Sequence, residues 1–251
     1  MVSYNITIIN GLSYGKAFQN TILVMSEDQI IRAKFEGIQI SVISHTSHSL
    51  EEKNVVYMWF QLYIEVLLRM HHKLSDRKEL LELWKSVCKG NDNELQTLEE
   101  FKRSYRAEDS IRWYTRESCL YKILNKALRY QDFDTLFVFR FFITDIAKKI
   151  QSEYEKLIRT GDINRQFCVY RGQAIESDEL ETMEKNIGEF LSMNSFLSTS
   201  RQRSTALSFA TSLPLLTDTQ QRILFEITID TKLQTKPFAF VKELSYYREE
   251  D

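Results

Sequence analysis

The sequence predicts an α+β protein in which an N-terminal helical lobe packs beside a mixed, strand-rich sheet. Three observations predict it. Apolar residues recur at helical spacing from about residue 49 to 159. After the polar turn Thr160-Gly161-Asp162-Ile163-Asn164 the pattern changes to short alternating strands. Glycine and proline number only 7 and 2 among 251 residues, so most of the chain should be regular structure. The implied units are a short strand-containing segment, 1–48, of unassigned role, a helical lobe, 49–159, and a sheet core, 160–251.

In order, Ile6 to Ile9, Thr21 to Met25 and Ile38 to Ile43 read as strands. Two or three strands do not make a stable unit alone, so this segment is expected to lean on the rest or to be a remnant of a larger domain. Ser49-Leu50-Glu51-Glu52 has the form of a capping box. Val55, Trp59, Leu62, Val66 and Met70, widened by Tyr63 and Leu67, predict the buried stripe of the first helix. Asp76 to Glu79 repeats the capping signal before Leu80, Trp84 and Val87, with Gly90 as a stop. Leu95, Leu98 and Phe101 mark a shorter helix, and Leu120, Ile123, Leu124, Ala127 and Leu128 the next. The last is expected to run unbroken from Asp132 through Leu136, Phe139, Ile143, Ile146 and Ile150 towards Leu157. The many aromatics of this lobe read as helix–helix core rather than a cofactor pocket.

Beyond the turn, Phe167 to Arg171 is a strand and Ser177 or Asp178 opens a helix ending at Gly188. Phe190 to Met193 and Phe196 to Thr199 are extended, and Ser204 to Thr211 is helical. Arg222 to Asp230 alternates Ile223, Phe225, Ile227 and Ile229 with other residues, a half-buried strand. Pro237 to Val241 completes the series, with proline at its start or on an edge.

Composition sets bounds. A net charge of -2 argues against nucleic acid as a partner, because phosphate-tracking surfaces need a basic excess. Leu136 to Ile150 is interrupted by Arg140 and Asp145 and is too short to span a bilayer. With no signal-like start either, an intracellular location is favoured and no membrane partner is expected. Cys88, Cys119 and Cys168 show no paired spacing, which predicts buried free thiols in a reducing compartment. His45 and His48, and the adjacent His71 and His72, lack the further ligands of a metal site, so no metal is expected. Neither a glycine-rich phosphate loop nor a nucleophile elbow is present.

Two short strands carry the chemistry. Val169-Tyr170-Arg171-Gly172-Gln173 ends in a rigid fork of donors suited to phosphate or carboxylate, then a glycine that lets a ligand approach the main chain. Ser195-Phe196-Leu197-Ser198-Thr199-Ser200 ends in three hydroxyls that can hold a sugar or orient a carboxylate.

The order and spacing of these motifs resemble the mono-ADP-ribosyltransferases, and most closely the arginine-specific class with an Arg, a Ser-Thr-Ser and a terminal Glu-x-Glu. The resemblance covers about Ser110 to Asp251, with the stretch from Glu51 similar to the helical part of that family. It implies an NAD-binding sheet of the ADP-ribosyltransferase type, NAD+ or NADP+ as substrate, an arginine-bearing protein as acceptor and no metal. By the same resemblance Arg171 anchors NAD at phosphate and ribose, and Gly172 meets the nicotinamide amide. Ser198 holds the ribose and the catalytic carboxylate, Thr199 and Ser200 shape the strand, and Phe209 stacks on nicotinamide. Aligned on Ser245-Tyr246-Tyr247, Glu250 falls on the first glutamate of the pair, and the second would follow Asp251. The sheet core is therefore expected to be incomplete at its C-terminus and turnover slow. In another register Glu249 and Asp251 form the pair. The alternatives are an NAD-binding module or pseudoenzyme, and a helical interaction protein without transferase activity.

Overall fold

In the computed structural model the described residues are 4–8, 12–17, 22–24, 40–43, 52–161, 164–187, 190–193, 195–213, 215, 218–233 and 236–246. The helical lobe opens with α1 (Glu52–Arg69), whose buried face matches the expected one only in part, at Tyr63, Leu67 and Met70. Phe60 and Leu67 are buried, whereas Trp59, Leu62 and Val66 are 63%, 53% and 49% exposed. From Val55 to Leu68 the helix is apolar nearly all round, so spacing alone permits two stripes one residue apart. Packing chooses between them. The Tyr63 hydroxyl donates to the Phe133 carbonyl at 2.6 Å, and the two rings meet edge-on at 4.7 Å. The expected capping residues Ser49 to Glu51 lie outside the described residues.

Helix α2 (Leu74–Val87) starts ahead of Asp76, which is therefore inside the first turn. Its carboxylate reaches back to accept from the Lys73 amide at 3.0 Å. Leu80 and Trp84 point inward as expected, but Val87 is 56% exposed at the fraying end. Helix α3 (Asp92–Ser104) is capped by Asn91, which accepts from the Glu94 amide at 3.2 Å. Then come α4 (Ser110–Thr115) and α5 (Cys119–Tyr130), the latter burying Leu120, Leu124, Ala127 and Leu128.

The long helix expected after Asp132 is two helices, α6 (Phe133–Val138) and α7 (Arg140–Thr160), broken at Phe139. Arg140 explains the break. It is 4% exposed, and its guanidinium donates to the Phe137 carbonyl at 2.6 Å, to Glu79 at 2.8 Å and to Asp76 at 2.8 Å. A cation drawn that far inward needs its partners within reach, and a local turn supplies one of them. Aromatic rings fill the lobe's centre: Phe101 lies 5.5 Å from Trp84, 5.0 Å from Trp113 and 6.2 Å from Phe142. They are helix–helix core.

Cys88, after α2, and Cys119, opening α5, are joined as a disulfide, and only Cys168 is a free cysteine among the described residues. This corrects the expectation of three free thiols. A separation of 31 residues carries no pairing signal; the packing of two helix ends creates the pair.

Strands from the first 48 residues enter both sheets. The larger runs β4 (Ile40–Ile43), β6 (Phe190–Met193), β2 (Leu12–Ala17), β1 (Tyr4–Ile8), β8 (Gln220–Asp230), β5 (Gln166–Glu176). The smaller places β3 (Ile22–Val24) between β7 (Leu197–Thr199) and β9 (Phe238–Phe240), parallel to both. A cut at residue 48 would remove strands from each sheet, so the N-terminal segment is part of the sheet layer. Its β2 had no clear alternation to announce it. Helices α8 (Ser177–Lys185) and α9 (Arg203–Ser212) flank the strands. The whole is a mixed α+β protein, and among the described residues no helix is long and apolar enough to cross a membrane.

Candidate functional site at Arg171

Strand β5 is paired along its length with β8, from Gln166 opposite Asp230 to Glu176 opposite Gln220. Alternation sends Phe167, Val169 and Ile175 into the core between the sheets, and Arg171 falls on that same face. On its other side β5 meets the end of β7. The Tyr170 amide donates to the Ser200 carbonyl at 2.7 Å, and the Ser200 amide to the Tyr170 carbonyl at 2.8 Å. The two expected motifs therefore lie side by side.

The Arg171 guanidinium crosses this junction. Nη1 donates to the Ser198 carbonyl at 2.8 Å and Nε to Gln173 Oε1 at 3.1 Å. Among the described residues no carboxylate pairs with it. Burial draws its pKa down to about 10, which Tyr121 and Tyr114 of the lobe oppose and the like charge of Arg129 reinforces. It keeps its charge at neutral pH. A half-buried cation held by neutral oxygens, with a second guanidinium in electrostatic reach, favours an anion.

The structure places the other expected site residues as follows. Ser198 is half-buried and meets Arg171 through its carbonyl oxygen, so the strand backbone makes this contact. Thr199 and Ser200 are 0% and 2% exposed. The Ser200 hydroxyl accepts from the Gln202 amide at 3.0 Å, which turns the chain into α9. Gly172 has its missing side chain filled by protein: a Cβ there would overlap the Ala206 carbonyl oxygen and lie 2.8 Å from the Ala210 amide nitrogen and Cβ. The glycine admits α9, where the sequence suggested it admits a ligand. Phe209, 8% exposed, packs into the core shared with the lobe. Glu249, Glu250 and Asp251 lie outside the described residues.

Other residues were not anticipated. Gln173, 2% exposed, orients Arg171 from two positions along the same strand face, and alternation could have found it. Tyr114, Tyr121 and Arg129 come from the lobe, where no motif marks them. The Tyr114 ring packs 5.2 Å from Phe196, ahead of β7, and its hydroxyl donates to Asn125 at 2.9 Å. The lobe thus lies beside Arg171. Among the described residues one group could gather a metal ion, Cys88, Glu94 and Cys119, and its two sulfurs are bonded to each other.

Comparison with protein families, curated proteins and solved structures finds no match for this chain.

Proposed function

We propose that the chain is the NAD-binding core of an arginine-specific mono-ADP-ribosyltransferase, which moves ADP-ribose from NAD+ to an arginine side chain of a protein and releases nicotinamide. One observation carries the reading: Arg171 sits half-buried at the junction of the two motif strands with no carboxylate partner among the described residues. A structural arginine at such a place would be paired. One waiting for a pyrophosphate would not.

The chemistry asks for the same arrangement. As the bond between nicotinamide and ribose breaks, its electron pair leaves with nicotinamide and positive charge builds on the sugar, as in glycoside hydrolysis. An acceptor guanidine nitrogen then bonds to the ribose carbon and loses a proton. Arg171 would hold the phosphates and Ser198 the ribose. Glu250 would polarise the acceptor, and a further carboxylate would face the developing cation. The mixed α+β architecture, with the lobe beside Arg171, is compatible with the ADP-ribosyltransferase fold.

Titration with NAD+ tests the reading. Wild type should bind, and Arg171→Ala should weaken binding about 10- to 150-fold, the value of charge-assisted hydrogen bonds. No binding by either would favour the interaction-protein reading, for which the exposed Met58, Trp59, Leu62 and Val66 on α1 offer an apolar face.

A further inference from the structure

The end of α2 and the starts of α3 and α5 meet at one place on the lobe. Cys88 closes α2, and its amide donates to the Trp84 carbonyl at 3.0 Å. Gly90, at φ +87°, turns the chain towards α3. The Asn91 amide donates to the Cys88 carbonyl at 3.0 Å, and the Asn91 side chain caps α3, which sets Glu94 in its first turn. Cys119 is the first residue of α5. The two sulfurs and a Glu94 carboxylate oxygen all lie within 4.8 Å of one another.

The disulfide accounts for two of these residues and leaves the third unexplained. Glu94 Oε2 accepts from the Cys119 amide at 3.0 Å, which holds the carboxylate against the sulfurs. Among the described residues no lysine or arginine pairs with it, and Oε1 has no partner. With the S–S bond open, two thiolates would join this carboxylate, and their mutual repulsion calls for a dication. Two thiolates, one carboxylate and an open fourth position suit Zn2+. Tetrahedral Zn–S bonds of about 2.3 Å put two sulfurs about 3.8 Å apart, and the Cα atoms, 7.0 Å apart, admit that spread. Cys88 is buried while Cys119 and Glu94 are half-buried, so solvent reaches the group from one side.

We propose that Cys88, Glu94 and Cys119 form a site with two states, a disulfide when oxidised and a Zn2+ site when reduced. An external dithiol supplies the electrons. One of its thiolates attacks the sulfur of Cys119, the more exposed of the pair, and Cys88 leaves as a thiolate. The second sulfur of the dithiol then displaces Cys119, and the reagent departs as a disulfide with two electrons passed to the protein. Zn2+ binds both thiolates and the Glu94 carboxylate, with water in the fourth position, and the two thiol protons go to solvent. Helices α2, α3 and α5 are tied together by the ion as α2 and α5 are by the covalent bond. The site is separate from Arg171 and does not depend on the transferase reading.

The full chain carrying Cys168→Ser has no other thiol than this pair. It is reduced with a dithiol, freed of excess reagent without oxygen, and titrated with Co2+ alone. Co2+ should give sulfur-to-metal charge-transfer absorption and the strong visible bands of a four-coordinate ion, saturating at a single equivalent, and Zn2+ should displace it. The oxidised chain should show neither band. Glu94→Gln keeps an oxygen for the Cys119 amide but loses the anionic ligand. It should weaken Co2+ binding about ten- to a hundredfold with helical circular dichroism unchanged. A reduced chain without charge-transfer absorption would overturn the proposal. So would equal affinity in Glu94→Gln, which would remove the carboxylate from the site, and so would the same bands in the oxidised chain, which would put the metal elsewhere. A reduced chain that loses its helical dichroism and does not regain it with Zn2+ would leave the pair as a covalent tie and nothing more.

Discussion

Replacing Gly172 by alanine asks what the glycine is for. Strand β5 and helix α9 touch there. The new Cβ would start 2.8 Å from both the amide nitrogen and the Cβ of Ala210, and would overlap the Ala206 carbonyl oxygen. Ordinary carbon contacts need about 3.5 Å or more, so α9 must retreat by roughly 0.7 Å at Ala210 and further at Ala206. Both obstacles belong to the helix backbone or sit one bond from it, and no rotamer change relieves them. Overpacking of this kind costs about 1–3 kcal/mol. Lower entropy of the unfolded chain offsets about 0.4–1 kcal/mol of that. The net loss of about 1–2 kcal/mol corresponds to a fall in Tm of about 3–6 °C for a chain of this size. Thermal and urea denaturation read it directly. If Gly172→Ala melts with the wild type while NAD+ affinity collapses, the glycine serves a ligand, and the account of helix–strand contact is wrong.

Three ionisable groups of the lobe, Arg140, Asp76 and Asp145, provide further tests. Arg140→Met leaves the Asp76 carboxylate, 6% exposed in its side chain, without its cation; breaking such a pair should cost about 3–5 kcal/mol in urea denaturation, and the double variant Arg140→Met/Asp76→Asn should recover much of it. Burial alone would raise the Asp76 carboxyl, but the Lys73 amide and the Arg140 guanidinium outweigh it and hold it below its usual range. Its contribution is therefore present above the unfolded value and lost as pH falls through the folded one, so Asp76→Asn should flatten the acid limb of the stability profile. Asp145 is opposite in sign. Burial pushes its carboxyl up, despite the hydrogen bond it accepts from the Tyr105 hydroxyl at 2.7 Å. The stability it confers is full below the unfolded value and lost as pH rises through the folded one. Asp145→Asn keeps an oxygen for Tyr105 and should raise Tm at neutral pH but not in acid; an equal gain at both would contradict the assignment.

How much of this was legible follows from the range of the forces involved. Helix α5 and strand β8 could be read directly, because each has a polar face that fixes which side turns inward. Helix α1 could not: with apolar residues on most sides, the choice between the Trp59 and the Phe60 stripe waits for a partner, and Phe133 supplies it. The break at Phe139 depends on Asp76 and Glu79, which lie far back in the chain and pull Arg140 inward. At the site, Arg171 and the hydroxyl run could be singled out by the order and spacing of their two motifs. Their partners could not be.

From residue order alone come the mixed α+β class, the helical lobe, the strands β5 and β8, and the two short motifs, since each rests on a pattern within about a dozen residues. Tertiary structure decided the rest: the strands of the first 48 residues within both sheets, the Cys88–Cys119 pair, and the helix behind Gly172. Those contacts join segments from 31 residues apart, at Cys88 and Cys119, to 223 apart, at Asn5 and Thr228. Local periodicity tells a residue which way to face, and only the packed chain tells it what it will meet.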